Sequence, residues 1–590
     1  MTSSYFSNLD ESKQVDFAIV GAGISGLYCA LRLSQAYPTK QIAVIERLDR
    51  TGGRLDTDLI TVRPGEVVRE EEGGMRFQYS MTELMALVKE MGLCDQIVPF
   101  PMVSDITGYG NTNRFYLRGR NFTAHEAQEG NNQIWGEIYN LKEDEKGKAP
   151  ADIIHDVYTV LLAHNNTTQP VEQTPDYWTK LRNEFSWKGT LVRDWQMWGL
   201  LRDMDYSEEC VQMLSESIGF TGPFKAPINA GDAFQILADF PKDPKYFTFQ
   251  RGFSTLPYAV RDALPKDRVS VMLSTNVNSI TQDKEGFKLE LTEAPDQQNA
   301  NPNFPVGKRK SLSCSQIVIA TATKGMEDLF ATSPAFNENP DAQALWDSIH
   351  SARGMRLMKI NLYFDQPWWL DPEGVVDPPV QFGPNFSNLP LNSIYPFYSI
   401  PVDQPGSEQV KRTAVEETHY KAAALTMYCD FDNSMFWQGL QNVGDEFSSP
   451  LQEKQSKPPQ TLYPASKAVV AELRKQLTQL FCIKIDSVPE PILTSYRLWD
   501  GDDDFEFAYH QWRLGVNDVA VRDHLAAPIA NVFFCNEAIS DMQGWVNGSL
   551  RSCDKALACM GVDLPKKEGC TAPETTTARP RVLHTGLWGA

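Results

Sequence analysis

Residues 15–26, VDFAIVGAGISG, constrain this chain more than any other stretch. Residues 15–20 are a short, unbroken apolar run, which reads as a buried strand. Gly21, Gly23 and Gly26 follow at G-x-G-x-x-G spacing, and Leu27, Tyr28, Ala30, Leu31 and Leu33 then mark one face of a helix. Each glycine has its own task in such a turn. The first permits the tight bend, the second lets backbone approach a pyrophosphate, and the third lets helix and strand pack closely. The N–H groups at the helix start face the phosphates. A second strand, residues 41–45, ends in Glu46, placed to accept hydrogen bonds from ribose hydroxyls. A glycine-rich turn in some other α/β protein is the competing reading. Strand, helix and Glu46 together point to a dinucleotide.

The 590 residues suffice for several structural units with ample core. A net charge of −21 repels nucleic acid and anionic membranes, so neither is expected as a partner. No run approaches the ~18 apolar residues of a membrane span. Residues 1–14 have neither a basic region nor an apolar core, so no signal peptide is visible. Ten cysteines lie scattered without C-x-x-C spacing. That favours reduced thiols and a cytoplasmic location, with secretion left open. The sequons at Asn121, Asn165, Asn166, Asn385 and Asn547 then count as accidental. The eight histidines form no H-x-x-x-H cluster, and no metal is expected.

Further along, RTGGRL places Gly52, Gly53 and Arg54 in another turn, and EEEGGMRF ends two glycines on Arg76. In residues 151–163, Ile153, Ile154, Val157, Val160 and Leu161 form a helical face, and the region to about 240 reads as a helical subdomain. Residues 269–282 and 287–294 read as paired strands, and residues 315–322, SQIVIATA, as an apolar strand ending in small residues. Lys359 sits inside an alternating strand, residues 355–365, where an unpaired ammonium would be costly. Residues 371–413 read as long loops, 422–431 as a strand and 465–482 as an amphipathic helix. Residues 500–506 form an acidic loop, residues 531–560 a strand, loop and last helix, and the remainder a loose tail.

VGAGISGL with Glu46, RTGGRL, EEGGMRF, Lys359 and NEAISDMQGWVNGSLRS together resemble the flavin-dependent amine oxidase superfamily, and within it the L-amino acid oxidases. The resemblance covers all but the tail. It implies an α/β chain with a Rossmann-type FAD domain from residues 14–60, 246–330 and 526–562. A substrate domain with a mixed sheet would take 61–140 and 331–525, a helical subdomain 141–245, and the tail 563–590. Gly21, Gly23, Gly26 and Glu46 match the ADP-binding fingerprint. Arg54 matches a flavin-side arginine, Val277 the backbone contact to adenine, and Glu537 the acid at the ribityl or phosphate region. Gly53, Gly74, Met75, Arg76, Gly544, Trp545 and Val546 would stand against the cofactor.

For catalysis, Arg76 matches the arginine that pairs with substrate carboxylate, and Tyr428 a tyrosine that helps it. Tyr395 matches a pocket tyrosine. Lys359 matches the lysine that holds a water beside flavin N5. Gly544 matches the carbonyl that accepts from the substrate amine, and Trp545 the aromatic wall. An active-site histidine that some members carry in the helical region is not placed by the motifs here, which leaves its role open. Members are commonly homodimers.

The implied reaction is oxidation of an L-amino acid by O2 to a 2-oxo acid, ammonia and hydrogen peroxide. Carboxylate, amine and side chain held at three points would fix the chiral carbon, and orientation would supply most of the gain. The positive start of the last helix would steady charge on the reduced flavin. Three other readings stay open: an amine oxidase without carboxylate recognition, a monooxygenase giving an amide, and a non-catalytic FAD binder. Arg76 argues against the first, and Lys359 with Gly544 and Trp545 against the last. Side-chain preference is open as well. The acidic loop would suit Lys or Arg substrates, and the many aromatics would suit Phe, Tyr or Trp.

Overall fold

The computed structural model describes residues 14–170, 172–238, 245–293, 308–371, 374–401, 421–455, 463–501 and 506–571. Its first unit is strand β1 (Gln14–Val20), helix α1 (Ile24–Ala36) and strand β2 (Ile42–Ile45). These build a seven-stranded mixed sheet. Its order is Val269–Met272, β2, β1, Lys308–Ile319, Phe287–Glu293 and Thr275–Gln282, with Val532–Phe534 also paired to Lys308–Ile319. The strands next to β1 run parallel to it, and the pair Thr275–Gln282 and Phe287–Glu293 is antiparallel.

Both faces of this sheet are covered. Leu27, Leu31 and Leu33 of α1 pack with Leu550 and Leu557 of the last helix, Val546–Cys559, on one face. Ala18, Ile317 and Ile319 pack with Leu329, Leu345 and Leu525 on the other. Covering on both sides explains why the strands read as continuous apolar runs rather than alternating ones.

A second seven-stranded sheet has the order Leu493–Trp499, Leu357–Phe364, Ala423–Asp430, Ser393–Tyr398, Asn385–Ser387, Arg114–Leu117 and Arg120–Thr123. Strand Leu357–Phe364 is buried along its whole length rather than on alternate residues. Lys359 is therefore itself buried, with Tyr428 opposite it on one strand and Arg497 on the other.

Three expectations need correction. Residues 371–413 are not all loop, because Asn385–Ser387, Ser393–Tyr398 and Ile400–Pro401 are strands. The β-forming Ile394, Tyr395, Phe397 and Tyr398 are hidden in sequence among Pro and Asn; residues 402–413 lie outside the described residues. Val160 is 45% exposed, since Tyr158 and Leu162 complete the buried face of helix Pro150–His164.

The cysteines are not all reduced: Cys94 and Cys570 form a disulfide across 476 residues of sequence. No local spacing signals a bond that long. It also anchors the start of the tail, where Lys567 bridges Glu83 and Asp554, each at 2.9 Å. Residues 572–590 lie outside the described residues, as do 502–505 of the acidic loop.

Closing so long a loop restrains the unfolded chain. Cys94→Ser is expected to lose on the order of 2–4 kcal/mol of stability, the usual range for one disulfide. Denaturation midpoints without reductant check this, and treating the native protein with reductant should reproduce the loss.

Candidate active site

The β1–α1 turn is built as its glycines require. Gly21 has φ +103°, and a Cβ on Gly26 would lie 1.9 Å from the Gly21 carbonyl oxygen. By contrast, a Cβ on Gly23 would meet only the Gly53 Cα, at 4.0 Å. The backbones of Gly23 and Gly52 bridge, which brings RTGGRL against the first turn. In the same way the Gly74 N–H donates to the Arg54 carbonyl at 2.9 Å. A Cβ on Gly73 would strike that carbonyl oxygen at 1.9 Å. Three glycine-rich segments thus lie backbone to backbone, which only residues without side chains allow.

A cavity of about 810 Å³ runs along this seam. Gly21, Gly23, Glu46, Gly53, Arg54, Gly74, Val277, Glu537, Gly544, Trp545 and Val546 all border it. Gly26 instead does packing work behind the turn. Glu46 is buried, and its carboxylate accepts from the Ala22 and Leu48 amides at 2.8 and 3.0 Å. Burial raises its pKa, and those amides only partly oppose the shift.

Glu537 is the hub of the far end. It accepts from Arg54 Nη1 at 2.6 Å, from the His510 amide and Nδ1 at 2.9 and 2.8 Å, and from the Gly544 amide at 2.6 Å. Burial works to raise its pKa, but Arg54 and His510 outweigh it and hold the carboxyl well below its ordinary range. The carboxylate therefore stays ionised and fixes Gly544 in its left-handed conformation, φ +82°. His510 is not picked out from sequence. It stands on a four-residue strand, Tyr509–Trp512, too short for a periodic signal.

A second cavity, of about 150 Å³, adjoins the first. Met75, Arg76, Tyr428, Gly544 and Trp545 border it. Arg54, Gly74, Gly544, Trp545 and Val546 border both cavities, so the two share a wall. Met75 and Arg76 border the smaller one rather than the larger. Lys359 and Tyr395 border neither.

Arg76 is buried among rings, its guanidinium 4.6 Å from the Tyr246 centroid, 5.7 Å from Phe100 and 5.9 Å from Tyr395. Burial works against its charge, but the Tyr395 and Tyr246 hydroxyls outweigh this, so it stays fully cationic. The neighbouring carboxylates have other duties. Glu70 accepts from Thr426, Glu71 from Thr57, and Glu72 from Asn361 and Ser495. Tyr246, absent from the sequence-based set, also stacks on Trp545 at 6.3 Å. Tyr395 meets Tyr428 edge to face at 6.2 Å, behind Arg76.

Lys359 lies beneath this floor. Its ammonium donates to the Glu71 carbonyl at 2.5 Å and the Gly73 carbonyl at 2.6 Å. Burial lowers its pKa to about 8, although Glu71, Glu72 and Glu70 oppose the shift.

Three buried acceptors on residues bordering the cavities lack protein partners among the described residues: Asn536 Oδ1 at the larger, and Gln543 Oε1 and Glu72 Oε2 at the smaller. Unmatched buried acceptors are costly unless a ligand meets them. Together with the glycine-lined seam, they fit a bound FAD and a small polar ligand beside it.

A dinucleotide fold whose cofactor cavity shares a wall with a small cationic pocket defines an FAD-dependent oxidoreductase. Sequence comparison makes this specific: the chain belongs to the flavin containing amine oxidoreductase family, whose profile matches residues 24–420. Achacin of Lissachatina fulica is 24% identical over 511 residues, 85% of this chain and 84% of its own. An L-amino-acid oxidase of Mus musculus is 23% identical over 360 residues, 61% of this chain and 49% of that protein. The solved structure of putrescine oxidase bound to putrescine superposes with a TM-score of 0.58 at 16% identity, covering 93% of this chain and 99% of that one. At that identity the superposition shows a shared fold.

Proposed function

We propose that this chain oxidises L-amino acids, with O2 as acceptor, to 2-oxo acids, ammonia and hydrogen peroxide. One observation carries the reading: Arg76 and Gly544 border a single small cavity that shares its wall with the FAD cavity. Arg76, buried and cationic, pairs with the carboxylate through a charge-assisted fork. The Tyr428 hydroxyl adds a donor. The Gly544 carbonyl and Gln543 Oε1 accept from the amine, and Trp545, backed by the stacked Tyr246, walls the side chain. When bound, FAD supplies the two-electron acceptor that O2 reoxidises. The last helix begins at Val546, on the shared wall, with its positive end toward both cavities. We assign cofactor binding to residues 14–60, 246–330 and 526–562, the substrate floor to 61–140 and 331–525, and the cover to 141–245.

A peroxide assay on each L-amino acid beside its decarboxylated amine tests the proposal. Peroxide from the acids and not the amines is the expected result; the reverse makes the chain a plain amine oxidase. Product analysis for an amide excludes or reveals the monooxygenase reaction.

Lys359 has two of its three N–H donors on carbonyls, leaving one for a water. With its pKa near 8, flavin reoxidation by O2 should slow as pH rises through about 8. In Lys359→Met it should be slow and flat with pH, as followed by stopped-flow flavin absorbance. The stability effect has the opposite direction. Folded Lys359 binds fewer protons than unfolded Lys359 between about 8 and 10.5, so its contribution to stability rises with pH across that window.

For location, the Cys94–Cys570 disulfide favours an oxidising compartment over the cytoplasm. Among the described residues no helix is long and apolar enough to cross a membrane.

A further inference from the structure

Outside the site already described, one cluster of metal-binding side chains stands out among the described residues. Cys29 of α1, Cys535 just after strand Val532–Phe534 and Cys553 of the last helix converge in the core of the first sheet's domain. All three are fully buried. Their sulfurs all lie within 4.8 Å of one another, and Cys29 and Cys535 are 3.5 Å apart.

These distances match one coordination geometry. A metal–thiolate bond of about 2.3 Å in a flat three-sulfur site sets sulfur–sulfur edges of about 4.0 Å. That value is larger than the Cys29–Cys535 separation of 3.5 Å and inside the 4.8 Å limit that holds for all three pairs. No oxygen or nitrogen ligand belongs to the group. The nearest carboxylate in sequence, Asp554, is held by the Tyr28 hydroxyl at 2.7 Å and Lys567 at 2.9 Å. An all-sulfur set of three suits a soft cation of low coordination number, since zinc in structural sites takes four ligands.

We propose that Cys29, Cys535 and Cys553 form a trigonal thiolate site for one soft monovalent cation of the cuprous type. Each ligand stands directly behind the cofactor cavity wall. Ser25 and Ser549 border that cavity, one helical turn before Cys29 and Cys553, and Asn536, next to Cys535, borders it too. A bound ion ties α1, the last helix and the strand end together where they meet the cofactor. The histidine spacing gave no sign of this site, because its ligands are cysteines brought together from 29, 535 and 553 by the fold.

The test uses FAD-loaded full-length protein expressed with and without added copper. It is then equilibrated anaerobically with a cuprous salt and a competing chelator, desalted, and analysed for metal. One copper per chain is expected, kept when the exposed Cys482 and Cys559 are changed to Ser. At least a tenfold loss is expected in Cys29→Ala/Cys553→Ala. Copper that follows Cys482 or Cys559, or no copper above the Cys29→Ala/Cys553→Ala level, overturns the proposal. If that variant does not fold, X-ray absorption of the copper-treated native protein decides. Three sulfur neighbours support the site; nitrogen or oxygen neighbours, or no retained copper, refute it.

Discussion

Replacing Arg76 by Ala is expected to lower kcat/KM for an L-amino acid by about 10²–10³-fold while FAD remains bound. Truncating one partner of a buried, hydrogen-bonded charge pair typically costs about 2–5 kcal/mol, and each 1.4 kcal/mol is roughly a factor of ten. The substrate carboxylate would enter a cavity bordered by Met75, Tyr428, Gly544 and Trp545 with no cation to meet it. The effect should fall mainly on KM, because the guanidinium binds ground state and transition state alike. Arg76→Lys should recover little, since an ammonium lacks the planar fork. Arg76 does not border the larger cavity, so flavin content should be unchanged. Steady-state kinetics with the flavin spectrum of the same preparation check both halves. Full affinity for the amino acid in Arg76→Ala would remove the central residue of the proposed function.

The second large effect separates folding from binding within one motif. Gly26→Ala should yield little folded protein, because the new methyl would sit 1.9 Å from the Gly21 carbonyl oxygen and 3.3 Å from Ile19 Cγ2. Backbone stands in the way, and no side chain can swing aside to relieve it. Gly23→Ala should fold, since only the Gly53 Cα lies within 4.0 Å of that methyl. The methyl instead projects where the pyrophosphate approaches, so flavin binding should be lost. Circular dichroism and bound-flavin absorbance on both variants distinguish these outcomes. A Gly23→Ala protein carrying normal FAD would show that the phosphates lie elsewhere.

The features legible in sequence are those encoded by neighbours along the chain. The strand, turn and helix of residues 14–36 follow from a continuous apolar run, three spaced glycines and a helical face. The FAD cofactor and the amine oxidase family followed from that motif and from the Gly544–Trp545 stretch. Features made by distant segments were not legible. His510 gains its importance from Glu537, and Tyr246 from Arg76 and Trp545. The Cys94–Cys570 bond depends on the chain's end returning to the residues after helix Thr82–Glu90. Strand Ser393–Tyr398 was obscured by its composition, because Pro396 is accommodated inside a sheet. Glu506 turned out to serve the amides at 324 and 325 at the start of helix Thr323–Thr332, and it borders the cofactor cavity. Residues 502–505, the rest of that acidic loop, lie outside the described residues.

The pairing of β1 with Lys308–Ile319, and of that strand with Val532–Phe534, also sets a timetable for biosynthesis. At about 5–20 residues per second, β1 waits roughly 15–60 s for Lys308–Ile319, and the free edge of that strand waits until roughly 25–100 s, when Val532–Phe534 leaves the ribosome. Throughout that interval an apolar edge stays uncovered and open to aggregation, so yield in a host cell should depend on chaperone supply during translation. A fragment that stops short of residue 532 would lack both the closing strand and the helix that covers α1.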